Sequence, residues 1–236
     1  MSNPPEIQFN AVDLDALGTA EGRVAIFVGA DGKLDPSARR VNKLTKGAVA
    51  RLVESEAFEA AKNASVTTLA WPVGMAAEAV DVVRLERRPS VEDARKAGGA
   101  LAKRRGTAGV LIAAGSLTQT AELSLGFALR DYSFTARKTK EETPAGPVII
   151  TCTKPEEVAA QAAPLAAVAE GVYFTRDLVN EPANILTTDD FAARLAAMQD
   201  LGLDVEILEE AELEKLGMRL LPVSYTHLTL PTTSRV

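Results

Sequence analysis

The sequence predicts an α/β fold in which a three-layer, mixed-sheet front domain precedes a linker helix and the start of a second α/β domain. Three observations support this. Short β-branched runs end at glycine or proline, helical segments alternate with them, and the central runs are apolar throughout. Uninterrupted apolar runs are typical of strands that helices cover on both faces. With 236 residues and 47% apolar content, the chain is long enough to bury a sizeable core.

The β-branched runs predict five strands in the front domain, at residues 23–28, 66–71, 80–85, 109–114 and 147–152. Helices are predicted between them at residues 48–59, 91–104 and 119–130. Ser90 followed by Asp93 has the form of a capping box, which places the start of the second helix at residue 91. The small residues of that helix, Ala94 and Ala97, favour close packing on a sheet.

The composition of the chain changes near residue 138, and the polar stretch at 138–144 predicts a loop. A long alanine-rich helix is predicted at residues 156–177, long enough to join two domains. Pro182 then breaks the helical pattern, and a new helix starts at Thr188. A strand at 204–208 and a short helix at 209–216 are expected to open a second α/β unit. In chain order, we expect an N-terminal domain at 1–154, an interdomain helix at 155–182, a truncated second domain at 183–221 and a tail at 222–236.

Charge and cysteine usage narrow the classes of function. The net charge of −6 argues against nucleic-acid partners, because such proteins usually carry a basic face. Cys152 is the single cysteine, which excludes an intrachain disulfide and fits a reducing compartment. No apolar run approaches the ~20 residues that span a bilayer, and the first residues lack the form of a signal peptide. We therefore expect a cytoplasmic protein with no membrane partner.

The tail differs in composition from all that precedes it. It contains the only histidine, His227, and is rich in threonine. The string from Pro222 to Thr232 matches the translation of a transposase sequencing adapter. We therefore expect the native sequence to stop near Leu221, and we assign His227 no role as a ligand or base.

Residues 174–187 carry a pattern of the form Arg-x-Leu-x-Asn-x-Pro-x-Asn, at Arg176, Leu178, Asn180, Pro182 and Asn184. This pattern closely resembles a signature of the leucyl (cytosol) aminopeptidase family, where it joins an interdomain helix to the catalytic domain. Weaker similarities, persuasive through their order, lie at 69–74, 93–99 and 126–138, and after the signature at 205–218. The resemblance covers nearly all of the chain up to residue 220.

The resemblance implies a macro-domain-like front domain and a parent enzyme that removes N-terminal residues from peptides. Family members form hexamers and use two divalent ions, typically manganese, zinc or magnesium, to activate a water and polarise the scissile carbonyl. The family's metal-binding and catalytic motifs occur nowhere in this sequence. We therefore assign no catalytic residue, metal ligand or bound cofactor to this chain and expect it to be inactive alone. The alternative is a ligand- or DNA-binding or assembly module without peptidase activity.

The signature residues also have a physical interpretation of their own. Asn180 and Asn184 flank Pro182, so their side chains are suited to bonding backbone groups left open between two helices. Arg176 is suited to pairing with a carboxylate or to binding an anionic ligand. We favour a structural role for Arg176, Asn180, Pro182 and Asn184.

Other chemically suggestive residues have ordinary explanations. The acidic pairs at 141–142, 189–190 and 209–210 are typical of helix starts, where negative charge suits the helix dipole. The glycine turn at 29–32 lacks the strand–GxGxxG–helix context of a phosphate site. Ser116 and Ser124 have no histidine to activate them, and Cys152 is expected to pack in the core.

Overall fold

The computed structural model describes residues 2–139 and 145–218, which form two compact units divided after Asn180. The first unit contains six strands: β1 (Ile7–Ala11), β2 (Arg23–Val28), β3 (Val66–Ala70), β4 (Ala79–Arg84), β5 (Val110–Gly115) and β6 (Val148–Cys152). Its helices are α1 (Ala16–Thr19), α2 (Pro36–Leu44), α3 (Ala48–Val53), α4 (Glu56–Glu59), α5 (Val91–Ala102), α6 (Thr120–Asp131) and α7 (Pro155–Asn180). The predicted α/β class is confirmed.

The strands form one mixed sheet in the order β1-β6-β5-β2-β4-β3. Neighbouring strands run parallel except β3, which pairs antiparallel with β4 at the edge. All five predicted strands are confirmed, with ends that differ by one residue. Strand β1 was not predicted, because its sequence alternates apolar and polar residues at an edge that is only half buried.

Helices cover both faces of the sheet, as the apolar strands predict. On one face α5 and α6 pack against the sheet through Ala97, Leu101 and Phe127, all buried. On the other face α1 to α4 supply buried side chains such as Leu17 and Phe58. Helix α7 packs against α6 through Ala169, which is fully buried. The core therefore has two halves separated by the sheet.

Two glycines allow α5 and α6 to touch backbone to backbone. A Cβ on Gly98 would lie 2.0 Å from the carbonyl oxygen of Leu123, and one on Gly126 would lie 2.1 Å from that of Arg95. Both distances are far below van der Waals contact, so the crossing requires glycine at each position. The close approach presses both helices against the same face of the sheet.

A buried ion pair connects three neighbouring strands. Asp81 of β4 is fully buried, and the Arg23 side chain of β2 donates to it from Nε at 2.8 Å and from Nη2 at 2.7 Å. The Thr68 hydroxyl of β3 donates to the same carboxylate at 2.5 Å. Both oxygens of Asp81 are thereby bonded, as a buried charge requires.

The helices predicted at 48–59 and from residue 91 have different outcomes. The helix predicted at 48–59 is wrong as a single element, because the chain breaks between α3 and α4. There the Ser55 hydroxyl accepts a bond from the Phe58 N–H and starts a new turn. The helix predicted from residue 91 is confirmed, and Ser90 caps it by accepting from the Asp93 N–H. Asp93 bonds the Ser90 hydroxyl in return.

The second unit contains α8 (Thr188–Ala196), a 3₁₀ turn (Ala197–Leu201) and α9 (Glu210–Lys215). The strand predicted at 204–208 is wrong, because these residues have no regular secondary structure. A strand needs a neighbour to bond, and no strand of the described sheet pairs with this segment. Helix α8 leaves Phe191 43% exposed and buries none of its residues.

We expect Gly98→Ala to destabilise the first unit by about 1–3 kcal/mol or more, because the new methyl group must push two backbones apart. Gly99→Ala is the matched control. A Cβ there meets its nearest atom, in Arg130, at an ordinary 3.6 Å. Gly99→Ala should be neutral or stabilise by up to about 1 kcal/mol, because alanine favours helix over glycine. Urea unfolding followed by circular dichroism measures both. Equal stability of the two variants would contradict the close crossing.

Candidate functional site

Three of the signature residues, Arg176, Leu178 and Asn180, lie at the end of α7, and the side chains of Arg176 and Asn180 contact the end of α6. The Arg176 guanidinium donates to the Leu129 carbonyl at 2.6 Å and lies 5.4 Å from the centre of the Tyr132 ring. The Asn180 amide donates to the Arg176 carbonyl at 2.9 Å and to the Tyr132 hydroxyl at 3.0 Å. Both side chains therefore hold α7 against α6.

Asp177 lies between these two residues and is 4% exposed. Its carboxylate accepts from the backbone N–H and hydroxyl of Ser2, at 2.5 and 2.8 Å, and from the Tyr132 hydroxyl at 2.9 Å. Burial alone would raise the pKa of the Asp177 carboxyl, but the bonds from Ser2 and Tyr132 outweigh it and hold the pKa below its ordinary value. Sequence reasoning missed this role, because the signature pattern treats position 177 as variable.

The other two signature residues lie in the second unit. The Pro182 carbonyl accepts from the N–H groups of Ile185 and Leu186, both at 2.9 Å, and so forms a turn. Asn184 is exposed within this turn. Each unit thus contains part of the signature.

The acidic pairs within the described residues belong to helix starts. Asp190 forms a capping box with Thr187 at the start of α8, and the Thr187 hydroxyl lowers the pKa of the Asp190 carboxyl. Glu209 caps α9 in the same reciprocal way with Glu212. The pair at 141–142 lies outside the described residues.

No group of three or more histidine, cysteine, aspartate or glutamate side chains within residues 2–139 and 145–218 is placed to hold a metal ion. A dinuclear centre with carboxylate ligands requires such a cluster. The described residues therefore do not fit the two-metal group that the sequence resemblance implies.

Two of the candidate nucleophiles, Ser124 and Cys152, are buried. The Ser124 hydroxyl donates to the Ala121 carbonyl at 2.7 Å within α6. Cys152 is buried, and burial raises the pKa of its thiol, which keeps it protonated. His227 and the rest of the tail at 222–236 lie outside the described residues.

A crevice of about 300 Å³ opens at the carboxyl ends of β2, β4 and β5. Its apolar wall includes Phe27, Leu85 and Leu117, while charged side chains stand around it: Asp31, Lys33, Asp35, Glu86 and Arg87. Ser116, which sequence reasoning considered only as a nucleophile, also lines it. The crevice was not predicted, because its residues come from segments far apart in the chain.

None of the helices in the described parts of the chain is long and apolar enough to cross a membrane.

We expect Asp177→Asn to destabilise the protein by about 1–3 kcal/mol at pH 7, because buried donors lose a charged acceptor. The pKa of Asp177 is lowered in the folded state, so its stabilisation is present above the ordinary value of about 4 and is lost as pH falls through the folded value. The difference in unfolding free energy between wild type and variant should therefore be smaller at about pH 3 than at pH 7. Urea unfolding at both pH values measures it.

Asp15→Asn is the control for that experiment, because the Asp15 side chain is 94% exposed in its pair with Arg40. It should change stability by less than about 0.5 kcal/mol. A difference for Asp177→Asn that stays constant with pH would contradict the assigned bonds.

Two profiles of one protein family match successive parts of the chain. The profile of the cytosol aminopeptidase family's N-terminal domain matches residues 24–141, and the profile of its catalytic domain matches residues 173–224. A probable cytosol aminopeptidase of Cereibacter sphaeroides is 53% identical over 221 residues, which cover 94% of this chain and 45% of that protein. One from Caulobacter vibrioides is 37% identical, over 90% of this chain and 44% of its own length. The chain spans just under half the length of these relatives.

Solved structures share the fold. A mutant of tomato leucine aminopeptidase superposes with a TM-score of 0.69 at 18% identity, over 92% of this chain and 47% of that one. The bottromycin maturation enzyme BotP, in complex with Mn, superposes with a TM-score of 0.53 at 20% identity, over 84% and 40%. Because one profile matches half of the chain and a second follows it in order, the chain belongs to the cytosol aminopeptidase family.

Proposed function

We propose that this chain is the front part of a metal-dependent aminopeptidase that removes N-terminal residues from peptides, and that it does not catalyse this reaction alone. The observation that carries the proposal is the order of the two family matches, the N-terminal domain at residues 24–141 and then the catalytic domain at residues 173–224. We propose the domain limits given by the sequence, at 154, 182 and 221.

The metal chemistry belongs to the proposed whole protein. The BotP neighbour was solved with Mn, which supports manganese as a candidate, and zinc is the other candidate. When bound, two such ions supply an activated water and polarise the carbonyl under attack. Because the described residues lack a carboxylate cluster, we assign them no part in holding these ions.

The role proposed for the described residues is structural. Arg176 and Asn180 hold the end of α7 on α6, and Asp177 ties the first residues of the chain to the same place. The Pro182 carbonyl accepts the hydrogen bonds of a turn at the start of the second unit, and Asn184 lies within that turn. A location in the cytoplasm fits the family name of the relatives, and we propose it for the whole enzyme together with the hexamer that the sequence resemblance implies.

We expect the chain of 236 residues to release no chromophore from leucine p-nitroanilide with added Mn²⁺, above a control without protein. The reason is that no described residue cluster provides the carboxylates that bind the two ions. A full-length leucine aminopeptidase assayed in parallel shows that the conditions support turnover. Activity that elutes with the 25.0 kDa chain on size exclusion would overturn the proposal.

A further inference from the structure

The crevice at the carboxyl ends of the strands lies where the topology changes direction. After β2 the chain passes through α2 to α4 to the β4-β3 side of the sheet, and after β5 it passes through α6 to the opposite side. The two connections cover opposite faces of the sheet, so they separate above β2 and β5. In open α/β sheets, ligands bind in the crevice at such a switch point.

The crevice has the composition of a small-molecule site. Its wall is made by Phe27, Leu85 and Leu117, whose side chains are almost fully buried and therefore held in place by the core. Its volume of about 300 Å³ lies at the lower end of the range for such sites. A ligand with a short apolar group fits this wall.

The backbone groups that would bind a phosphate here are already occupied. The Glu86 carboxylate accepts from the Ala30 N–H at 2.7 Å. It also packs so closely on Gly29 that a Cβ there would lie 2.8 Å from Oε2. A backbone donor at the start of α2 is also occupied, because Asp35 Oδ1 accepts from the Ala38 N–H at 2.7 Å. These two carboxylates disfavour a phosphorylated or otherwise multiply anionic ligand.

The second oxygen of Asp35 points to a cationic group in the ligand. Asp35 Oδ2 lies 3.1 Å from the position that a Cβ on Gly115 would take, at the end of β5. Burial raises the pKa of the Asp35 carboxyl. None of the salt bridges within the described ranges involves Asp35. The charge of Arg39 acts against this rise in the pKa, but Arg39 donates from Nε to the Leu34 carbonyl and forms no salt bridge with Asp35. An ammonium group in the crevice would provide an ion-pair partner.

Arg87 points to an anionic group in the same ligand. Its carbonyl accepts from the Thr118 N–H at 3.2 Å, which fixes its backbone at the mouth of the crevice. Its side chain is exposed and lines the crevice, and among the described residues no carboxylate pairs with its guanidinium. Arginine binds carboxylates through two parallel hydrogen bonds. Lys33, the other cation, is already paired with Asp31 at 3.2 Å.

We infer that this crevice binds a free α-amino acid with an apolar side chain, its ammonium group at Asp35, its carboxylate at Arg87 and its side chain against Phe27 and Leu85. Both charges of the ligand are needed, since neither Arg87 nor Asp35, which both line the crevice, forms a salt bridge within the described residues. The site lies wholly in the first unit, so the inference does not depend on the proposed peptidase function.

Titration calorimetry of the full chain with L-leucine tests the site. We expect saturable binding by leucine and none by N-acetyl-leucine amide, which keeps the side chain and lacks both charges. Arg87→Gln and Asp35→Asn should each weaken leucine binding by about tenfold or more. Asparagine keeps an oxygen for the Ala38 N–H, so Asp35→Asn retains the cap of α2. The matched controls, Arg88→Gln and Asp15→Asn, should change the dissociation constant by less than about twofold.

Amide chemical shifts provide a second readout that does not depend on the variants. Leucine should shift the amide signals of Ala30, Gly115 and Leu117, which surround the crevice. The inference is overturned if leucine gives no saturable heat at about 10 mM, a concentration that reveals even weak sites. It is also overturned if binding survives both substitutions. ADP-ribose serves as a phosphorylated probe of the kind that Glu86 and Asp35 disfavour, and the inference is overturned as well if ADP-ribose binds and leucine does not displace it.

Discussion

The buried pair of Asp81 and Arg23 is the interaction on which the arrangement of the sheet depends. A charge at the centre of β4 is tolerated only where Arg23 and Thr68 reach it, and that requires β2, β4 and β3 to stand in one register. A shift of β4 by one residue would turn Asp81 towards the opposite face of the sheet, away from both partners. Replacing such a pair by apolar residues often leaves stability unchanged, so its value lies in specifying one register.

That register also determines which residues lie close together at the carboxyl ends of the strands. With Phe27 opposite Val83, strands β2 and β4 end side by side, and Glu86 comes within reach of the Ala30 N–H. The apolar wall of the crevice follows from the same alignment, because Phe27 and Leu85 belong to the same half of the core. The buried pair thus connects a constraint inside the sheet to the chemistry at its edge.

The helix layer on one face is held by two different kinds of contact. Gly98 and Gly126 allow α5 and α6 to approach backbone to backbone, so this contact depends on the absence of side chains. Helix α7 packs on α6 through Ala169 and is also held there by polar bonds of Arg176, Asp177 and Asn180. A contact made of side-chain hydrogen bonds places specific demands on sequence, which explains how a structural joint comes to carry a recognisable signature.

The sequence predicts elements well where burial controls both pattern and structure. Strands such as β5, apolar throughout and buried throughout, were identified within one residue. Helix α2 was missed because its exposed face carries Arg39, Arg40 and Lys43, and only Ser37, Ala38 and Val41 are buried. The strand predicted at 204–208 was wrong for the opposite reason. Its residues have the right propensity, but a strand exists only with a partner, and the described residues pair none with it.

The candidate site was harder to predict than the fold, because sequence motifs report residues that lie close together in the chain. The signature around Asn180 is local and was found, yet its residues hold helices together. The crevice gathers Phe27 from strand β2 and Asp35, Arg87 and Ser116 from segments that follow three different strands, so no spacing in the sequence connects them. Asp35 illustrates the difficulty, since in sequence it is an ordinary helix cap before Pro36. Only the fold shows that one of its oxygens caps α2 while the other faces the end of β5.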